Sequence, residues 1–96
     1  MRISASEPVR IWLRALPPEG RTRVRRALKA LAQGGTRSLD IKPLRRELEG
    51  FHRLRVGDHR VLYPFESGDL LRLDYADIRD VVYDAFRTLR GLREKG

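Results

Sequence analysis

Basic and apolar residues alternate along residues 51–63, and this alternation constrains the fold more than any other feature of the 96-residue sequence. A period of two is typical of β-strands that have one buried and one exposed face. Gly57-Asp58 interrupts the alternation, and such a pair between two strands predicts a two-residue hairpin loop. That loop would place Arg55 opposite Arg60. The sequence therefore predicts an antiparallel hairpin in this register.

Three arginines, Arg53, Arg55 and Arg60, share one face of the predicted hairpin. Like charges at neighbouring strand positions cost stability, so the cluster favours a face that receives a phosphate. The alternative is a face that only keeps the protein soluble. The opposite face is mostly apolar and is predicted to pack against helices. Because Arg60 belongs to the polar face, we expect Arg60→Ala to remove a phosphate contact without opening a cavity.

Helical periodicity fills the N-terminal third, after a short stretch at residues 2–4 that is compatible with a strand. Ser6 and Pro8 predict the start of a first helix, and Pro17-Pro18 predicts its end. A second apolar stripe of helical spacing runs to Gly34-Gly35, which predicts another helix end. These two helices predict an αα-hairpin.

The other segments complete the predicted order of elements. Residues 36–50 predict a loop with one helical turn, and Ser67-Gly68-Asp69 predicts a turn before a third strand, in which Leu71, Leu73 and Tyr75 alternate. The last predicted element is a helix with the apolar positions Ile78, Val81, Val82, Ala85, Phe86 and Leu89. The order β-α-α-β-β-β-α indicates an α+β fold, in which a small antiparallel β-sheet packs against the N-terminal helical hairpin.

The distribution of charge indicates a polyanionic partner, with nucleic acid as the leading candidate. Residues 1–60 carry a net charge of +9 and residues 61–96 a net charge of −1, so one region is predicted to hold the binding surface. The length predicts a single domain over residues 1–96. Without cysteine, a metal-ligand cluster or a glycine-rich phosphate loop, we expect no cofactor and no bound metal. No long apolar run or signal peptide is present, which predicts a cytoplasmic protein without membrane contact.

Two stretches carry motifs. The first, residues 43–63, contains Leu-Glu-Gly and then Arg-Val-Gly-Asp-His-Arg-Val-Leu-Tyr, and the second is the Ile-Arg-Asp-Val-Val-Tyr of residues 78–83. Together they resemble the RelE/ParE superfamily of toxins from type II toxin–antitoxin modules, and RelE-like members in particular. The second stretch is similar to the family's C-terminal His-Arg-x-x-Val-Tyr element. With the helical hairpin and the intervening strand, the resemblance covers about residues 2–90.

The resemblance implies a RelE-like fold and a toxin that enters the ribosomal A site and cuts mRNA without a metal. In such cleavage the ribose 2′-hydroxyl attacks the adjacent phosphate. The implied catalytic residues are Arg55, Arg60, Arg79 and Tyr83, with Arg60 as the phosphate-binding arginine and Tyr83 as the base-stacking tyrosine. The implied substrate-binding residues are Arg45, Arg46, Arg53, Arg55 and Tyr83.

The sequence leaves open which groups transfer the protons. The candidates are His52, His59, Asp77, Asp80 and Tyr83. Both histidines share the parity of the helix-facing side of the hairpin, so they are predicted to be structural.

The resemblance also leaves the target of the toxin open. Ile78 stands where many active members have histidine, which keeps a ParE-like, non-enzymatic inhibitor of DNA gyrase as the alternative. A catalytically decayed RNA-binding toxin is a third possibility. The implied partners are a cognate acidic antitoxin, the ribosome with its mRNA, and operator DNA reached only through the antitoxin complex.

Overall fold

A computed structural model describes residues 1–64 and 69–95 of the chain, with side chains described up to residue 91. The described elements, in chain order, are β1 (Arg2–Ala5), α1 (Glu7–Ala15), α2 (Pro18–Ala32), β2 (Asp40–Pro43), β3 (Phe51–Val56), β4 (His59–Pro64), β5 (Leu70–Leu73), β6 (Tyr75–Ile78) and α3 (Val81–Lys95), with a 3-10 turn at Arg46–Leu48. This arrangement confirms the predicted α+β class, and it adds the strand β2. The turn predicted at Ser67-Gly68 lies outside the described residues.

The N-terminal helices begin and end where the sequence supplies capping residues. The Ser6 hydroxyl caps α1 by accepting a hydrogen bond from the Val9 N–H at 3.4 Å, and Pro8 occupies the first turn. Pro18 opens α2 in the same way, and Gly34 follows the end of that helix with φ of +80°. Both helices therefore form as predicted.

The main sheet is antiparallel, with the strand order β2-β3-β4-β6. Arg55 lies opposite Arg60 and Val56 opposite His59, which confirms the predicted register of the β3–β4 hairpin. Gly57 has φ of +60° and Asp58 has a negative φ, as in a type II′ turn. A glycine at the first central position is what this turn requires.

Strand β2 lies in a segment for which the sequence predicted a loop. Asp40 pairs with Arg55 and Pro43 with His52, so β2 is the edge strand beside β3. Proline is compatible with this position because an edge strand leaves one side of its backbone without a partner strand. The predicted helical turn is present as the 3-10 turn at Arg46–Leu48.

The predicted third strand is broken at Asp74. The Asp74 N–H donates to the Leu62 carbonyl at 3.0 Å, while the Asp74 carbonyl accepts from the Ser6 hydroxyl at 2.7 Å. These bonds hold an irregular residue between β5 and β6, and the alternation changes phase there. Leu73 therefore packs against the helical hairpin, whereas Tyr75 faces the other side of the sheet.

The start of the last helix differs from the prediction. Ile78 ends β6 and is 45% exposed, so its assignment to a buried helical face is wrong. Helix α3 begins at Val81, which is exposed, and Val82 and Phe86 supply the buried contacts. Arg79 and Asp80 form the short connection between β6 and α3.

Two apolar clusters hold the layers together. The larger one joins the helical hairpin to the sheet through residues including Val9, Leu16, Val24, Leu28, Leu31, Leu54, Val61, Leu71 and Leu73. The smaller one lies under α3 and contains Leu48, Phe51, Leu62, Val82 and Phe86. Apolar side chains therefore cover part of the second face of the sheet, which was predicted as the cationic face. None of the helices within residues 1–64 and 69–95 is long and apolar enough to cross a membrane.

Candidate functional site

The part of the second sheet face that lies outside the apolar cluster under α3 carries a strip of charged residues. Cross-strand pairs place Lys42 beside Arg53, Arg55 beside Arg60, and Arg60 beside Asp77. We call these residues, together with Asp40, the charged strip. The strip confirms that Arg53, Arg55 and Arg60 share a face, as the hairpin register predicted.

Arg53 is held in place by the edge strand. Its Nη2 atom lies 2.7 Å from Oδ1 of Asp40, and its side chain is 13% exposed. A hydrogen bond between charged groups at this distance is among the stronger polar contacts in proteins. Asp40 therefore fixes the direction of the Arg53 guanidinium.

Arg55 and Arg60 both bind the turn of the hairpin. Arg55 Nε donates to the Gly57 carbonyl at 3.3 Å, and Arg60 Nη1 donates to the same oxygen at 3.1 Å. Arg60 Nη1 also reaches the His59 carbonyl at 3.3 Å. One carbonyl oxygen thus anchors two guanidinium groups.

Arg60 is buried, although the sequence predicted an accessible position. It is 8% exposed, and its Nε atom is buried without a hydrogen-bond partner in the described part of the chain. The side chain lies between Arg55 and Asp77 and folds back onto the turn. The expectation that Arg60→Ala leaves no cavity is therefore wrong.

A groove opens beside the strip, between the segment around β2 and helix α3. Its volume is about 630 Å³, and its lining includes Lys42, Arg45, Arg46, Leu48, Asp80, Tyr83 and Arg87. Tyr83 is half-buried and packs against the apolar cluster under α3. We call this surface the basic groove, since four of its side chains are cationic and one is a carboxylate. Cations can bind phosphates, while an exposed aromatic ring can stack on a base.

Backbone strain occurs at two of the predicted site residues. Arg46 has φ of +58° and Arg79 has φ of +48°, and they are the non-glycine residues with positive φ in the described ranges. Such conformations cost about 1–3 kcal/mol and cluster at functional sites. The strain supports a functional role for both arginines.

Arg79 lies at the end of the hairpin, outside the lining of the basic groove. Its N–H donates to the Asp58 carbonyl at 2.7 Å, and its Nη2 atom is 3.9 Å from the Asp58 carboxylate. The structure thus brings Arg45, Arg46 and Tyr83 together in one groove. It places Arg79 at a separate location, next to the turn.

Both histidines lie on the helix-facing side of the sheet, as their parity predicted. The ring centroids of His59 and Trp12 lie 5.4 Å apart in a T-shaped arrangement, and those of His52 and Tyr63 lie 5.6 Å apart in a stacked one. Burial raises the pKa of Tyr63 to about 12. The pKa of Tyr75 is raised by burial and by the negative charge of Asp77. Asp80 and Tyr83 are the two proton-transfer candidates that line the basic groove.

The fold matches solved structures of toxin–antitoxin proteins. The RelBE2 toxin–antitoxin complex from Mycobacterium tuberculosis matches with a TM-score of 0.66 and 30% sequence identity, over 81% of this chain and 96% of the other. The chain belongs to the RelE/ParE toxin superfamily. No protein-family model matches the sequence of this superfamily member, and no match is found among curated protein sequences.

Two further structures share this RelE-like fold. The RelB-RelE antitoxin–toxin complex from Methanococcus jannaschii has a TM-score of 0.63 and 22% identity, over 90% of this chain and 99% of that one. The YoeB/ParE toxin from Agrobacterium tumefaciens has a TM-score of 0.65 and 16% identity, over 82% of this chain and 99% of that one. At these identities the likeness is one of fold.

Two cations of the basic groove in this RelE/ParE member were missed by the sequence analysis. Lys42 lies on β2, a segment that the sequence predicted as a loop. Its position beside Arg53 could therefore not be predicted from the sequence. Arg87 lies four residues after Tyr83, and this helical spacing is a signal that places both side chains on one face. Arg87 is 2.8 Å from Asp84 and 3.6 Å from Glu47, which hold its guanidinium at the groove.

Proposed function

We propose that the protein is a ribosome-dependent mRNA endoribonuclease, the toxin of a type II toxin–antitoxin module. The observation that carries this proposal is the basic groove, in which the Tyr83 ring lies among four cationic side chains. A base stacked on Tyr83 would bring its flanking phosphates next to Arg45 and Arg46. The groove therefore suits a short stretch of single-stranded RNA.

The proposed reaction is attack of a ribose 2′-hydroxyl on the adjacent phosphate. The attacking oxygen loses its proton, the bond to the 5′-oxygen breaks, and that oxygen gains a proton. Guanidinium groups stabilise the added negative charge on phosphorus in the transition state. Because guanidinium groups keep their own protons, another residue must carry the proton transfers. Asp80 and Tyr83 are the candidates, since both line the basic groove.

The charged strip extends this site along the sheet. Lys42 belongs to both the groove and the strip, and Arg53 is its cross-strand neighbour. Arg55 is exposed and would contact the RNA backbone directly. Arg60 would act from behind Arg55, through its positive charge and its hydrogen bond to the turn. Arg79 would bind RNA at the far end of the hairpin.

The net charge and the matched proteins support an antitoxin as partner. The chain carries a net charge of +8, and two of the matched structures are toxin–antitoxin complexes. An acidic antitoxin would therefore neutralise the cationic surface by covering it. The complex, rather than the toxin alone, would bind operator DNA, and the toxin would act in the cytoplasm, where it meets translating ribosomes.

One observation favours a second candidate function, inhibition of DNA gyrase. Ile78 replaces the histidine of the family element, and both histidines of the chain lie on the helix-facing side of the sheet. The basic groove thus has no imidazole for proton transfer among its described side chains. A protein that binds gyrase without catalysis has no need of one.

The two candidates differ in which purified system they stop. We expect the wild-type protein to stop translation in a reconstituted system and to leave gyrase supercoiling unchanged. Tyr83→Ala should lower mRNA cleavage about 5-fold to 150-fold, the equivalent of about 1–3 kcal/mol of base stacking. Tyr83→Phe is the matched variant, because it keeps the ring and removes the hydroxyl. Cleavage retained by Tyr83→Phe would exclude the Tyr83 hydroxyl from proton transfer, and inhibited supercoiling with normal translation would overturn the proposal.

A further inference from the structure

A second cavity lies at the turn of the β3–β4 hairpin, on the side of the sheet that faces α2. Its volume is about 240 Å³, and its lining includes Arg23, Gly57, Asp58 and Arg79. None of the lining residues of the basic groove borders this cavity. It is therefore a separate surface feature.

Arg23 reaches this cavity from helix α2. Its guanidinium lies next to Gly57, with Nη2, Nη1 and Cζ at 3.5, 3.7 and 3.9 Å from the position that a Cβ atom would occupy there. In the described part of the chain, no carboxylate lies within ion-pair distance of Arg23. Its charge is thus available to a ligand.

Arg79 borders the same cavity from the end of β6. Its backbone is fixed in the left-handed region by the hydrogen bond from its N–H to the Asp58 carbonyl, at 2.7 Å. Its side chain is 70% exposed, and its contact with the Asp58 carboxylate is long, at 3.9 Å. An anion in the cavity can therefore compete with Asp58 for this guanidinium.

The turn as a whole is surrounded by positive charge. Arg55 and Arg60 bind the Gly57 carbonyl, while Arg23 and Arg79 border the cavity. Four guanidinium groups around one turn favour the binding of an anion. Arginine is suited to phosphate because its planar fork can donate two parallel hydrogen bonds.

We propose that this cavity binds a phosphate of an RNA backbone between Arg23 and Arg79. RNA as the source of the phosphate rests on the proposed function. An RNA strand that leaves the charged strip would pass Arg55 at the turn. It would then meet the cavity on the other side of Gly57 and Asp58. The cavity thus gives the protein a second docking point for RNA, separate from the basic groove.

The test compares two arginines of α2 in the full-length protein. Arg23→Gln removes the charge at the cavity, and Arg26→Gln removes the same charge one helical turn away, at an exposed position outside the lining. Binding of a fluorescein-labelled single-stranded RNA is followed by anisotropy at several salt concentrations. We expect Arg23→Gln to weaken binding about fivefold and to reduce the salt slope by about 0.7, as loss of one phosphate contact requires. Arg26→Gln should stay within about twofold of the wild type.

Asp58→Asn supplies the reciprocal variant. It removes the carboxylate that competes for Arg79, so we expect tighter RNA binding. Equal losses in Arg23→Gln and Arg26→Gln would overturn the inference. The inference would also be overturned if Arg23→Gln weakened binding of a polyglutamate peptide and left RNA binding unchanged, since the site would then serve an acidic protein. Arg23-dependent RNA binding without mRNA cleavage on ribosomes would retain the cavity and overturn only the proposed function.

Discussion

Arg60 donates a hydrogen bond from Nη1 to the carbonyl oxygen of Gly57 at 3.1 Å, so a buried cation fixes the turn of the central hairpin. The same oxygen accepts a hydrogen bond from Arg55, which is exposed. The two arginines therefore differ in role, although the sequence places them opposite each other on one face. Arg60 supports the turn, and Arg55 presents its charge to solvent.

Replacement of Arg60 should affect stability as well as toxicity. We expect Arg60→Ala to lower the free energy of unfolding by about 1.5–3 kcal/mol, because it removes hydrogen bonds made by a charged donor. Arg55→Ala, at an exposed position, should change it by no more than about 0.5 kcal/mol. Urea unfolding of both variants measures the difference. Equal stability of the two variants would contradict the supporting role of Arg60.

The backbone at Gly57 offers a test that leaves charge unchanged. Gly57→Ala puts a Cβ atom on a residue with φ of +60°, and we expect a loss of about 1–2 kcal/mol of stability. Gly91→Ala is the matched control, because Gly91 lies within α3 and a Cβ atom there meets open space. The control should gain about 0.5–1 kcal/mol from the higher helix propensity of alanine. Thermal unfolding should show the two shifts in opposite directions, and a gain of stability in Gly57→Ala would contradict the type II′ turn.

Stability should fall in alkaline solution because of Tyr63. Burial raises the pKa of this phenol from 10.0 to about 12 in the folded protein. The unfolded chain therefore loses the phenol proton first, so stability is complete below pH 10 and falls as the pH rises toward about 12. The loss is at most about 3 kcal/mol once the pH passes the pKa of the folded state. Tyr63→Phe should remove most of this dependence, and an unchanged pH profile in that variant would show that another group is responsible.

The fold could be predicted from the sequence wherever local signals are strong. The loop at Gly57-Asp58 set the register of the hairpin, and the parity of the chain placed both histidines on the helix-facing side. Strand β2 was missed because Pro43 and the adjacent arginine pair oppose a strand locally. Its pairing with β3 comes from a contact between distant residues, which local patterns do not report.

The site was harder to predict, because alternation tells which face a residue is on and not what covers that face. Arg60 is buried by its neighbours on adjacent strands and by its own turn. The break at Asp74 depends on a hydrogen bond to Ser6, which is 68 residues away in the chain. The basic groove is lined by both α3 and the segment around β2, so Lys42 could be assigned to it only from the fold.

The most direct test of the account is to map mRNA 5′ ends in a purified translation system after addition of the wild-type protein or of Tyr83→Ala. If the basic groove cleaves mRNA on the ribosome, we expect new 5′ ends within the translated frame with the wild type. These ends should be absent when ribosomes are omitted and strongly reduced with Tyr83→Ala. Intact mRNA and normal translation, with DNA supercoiling by gyrase inhibited by the same preparation, would contradict the proposed nuclease.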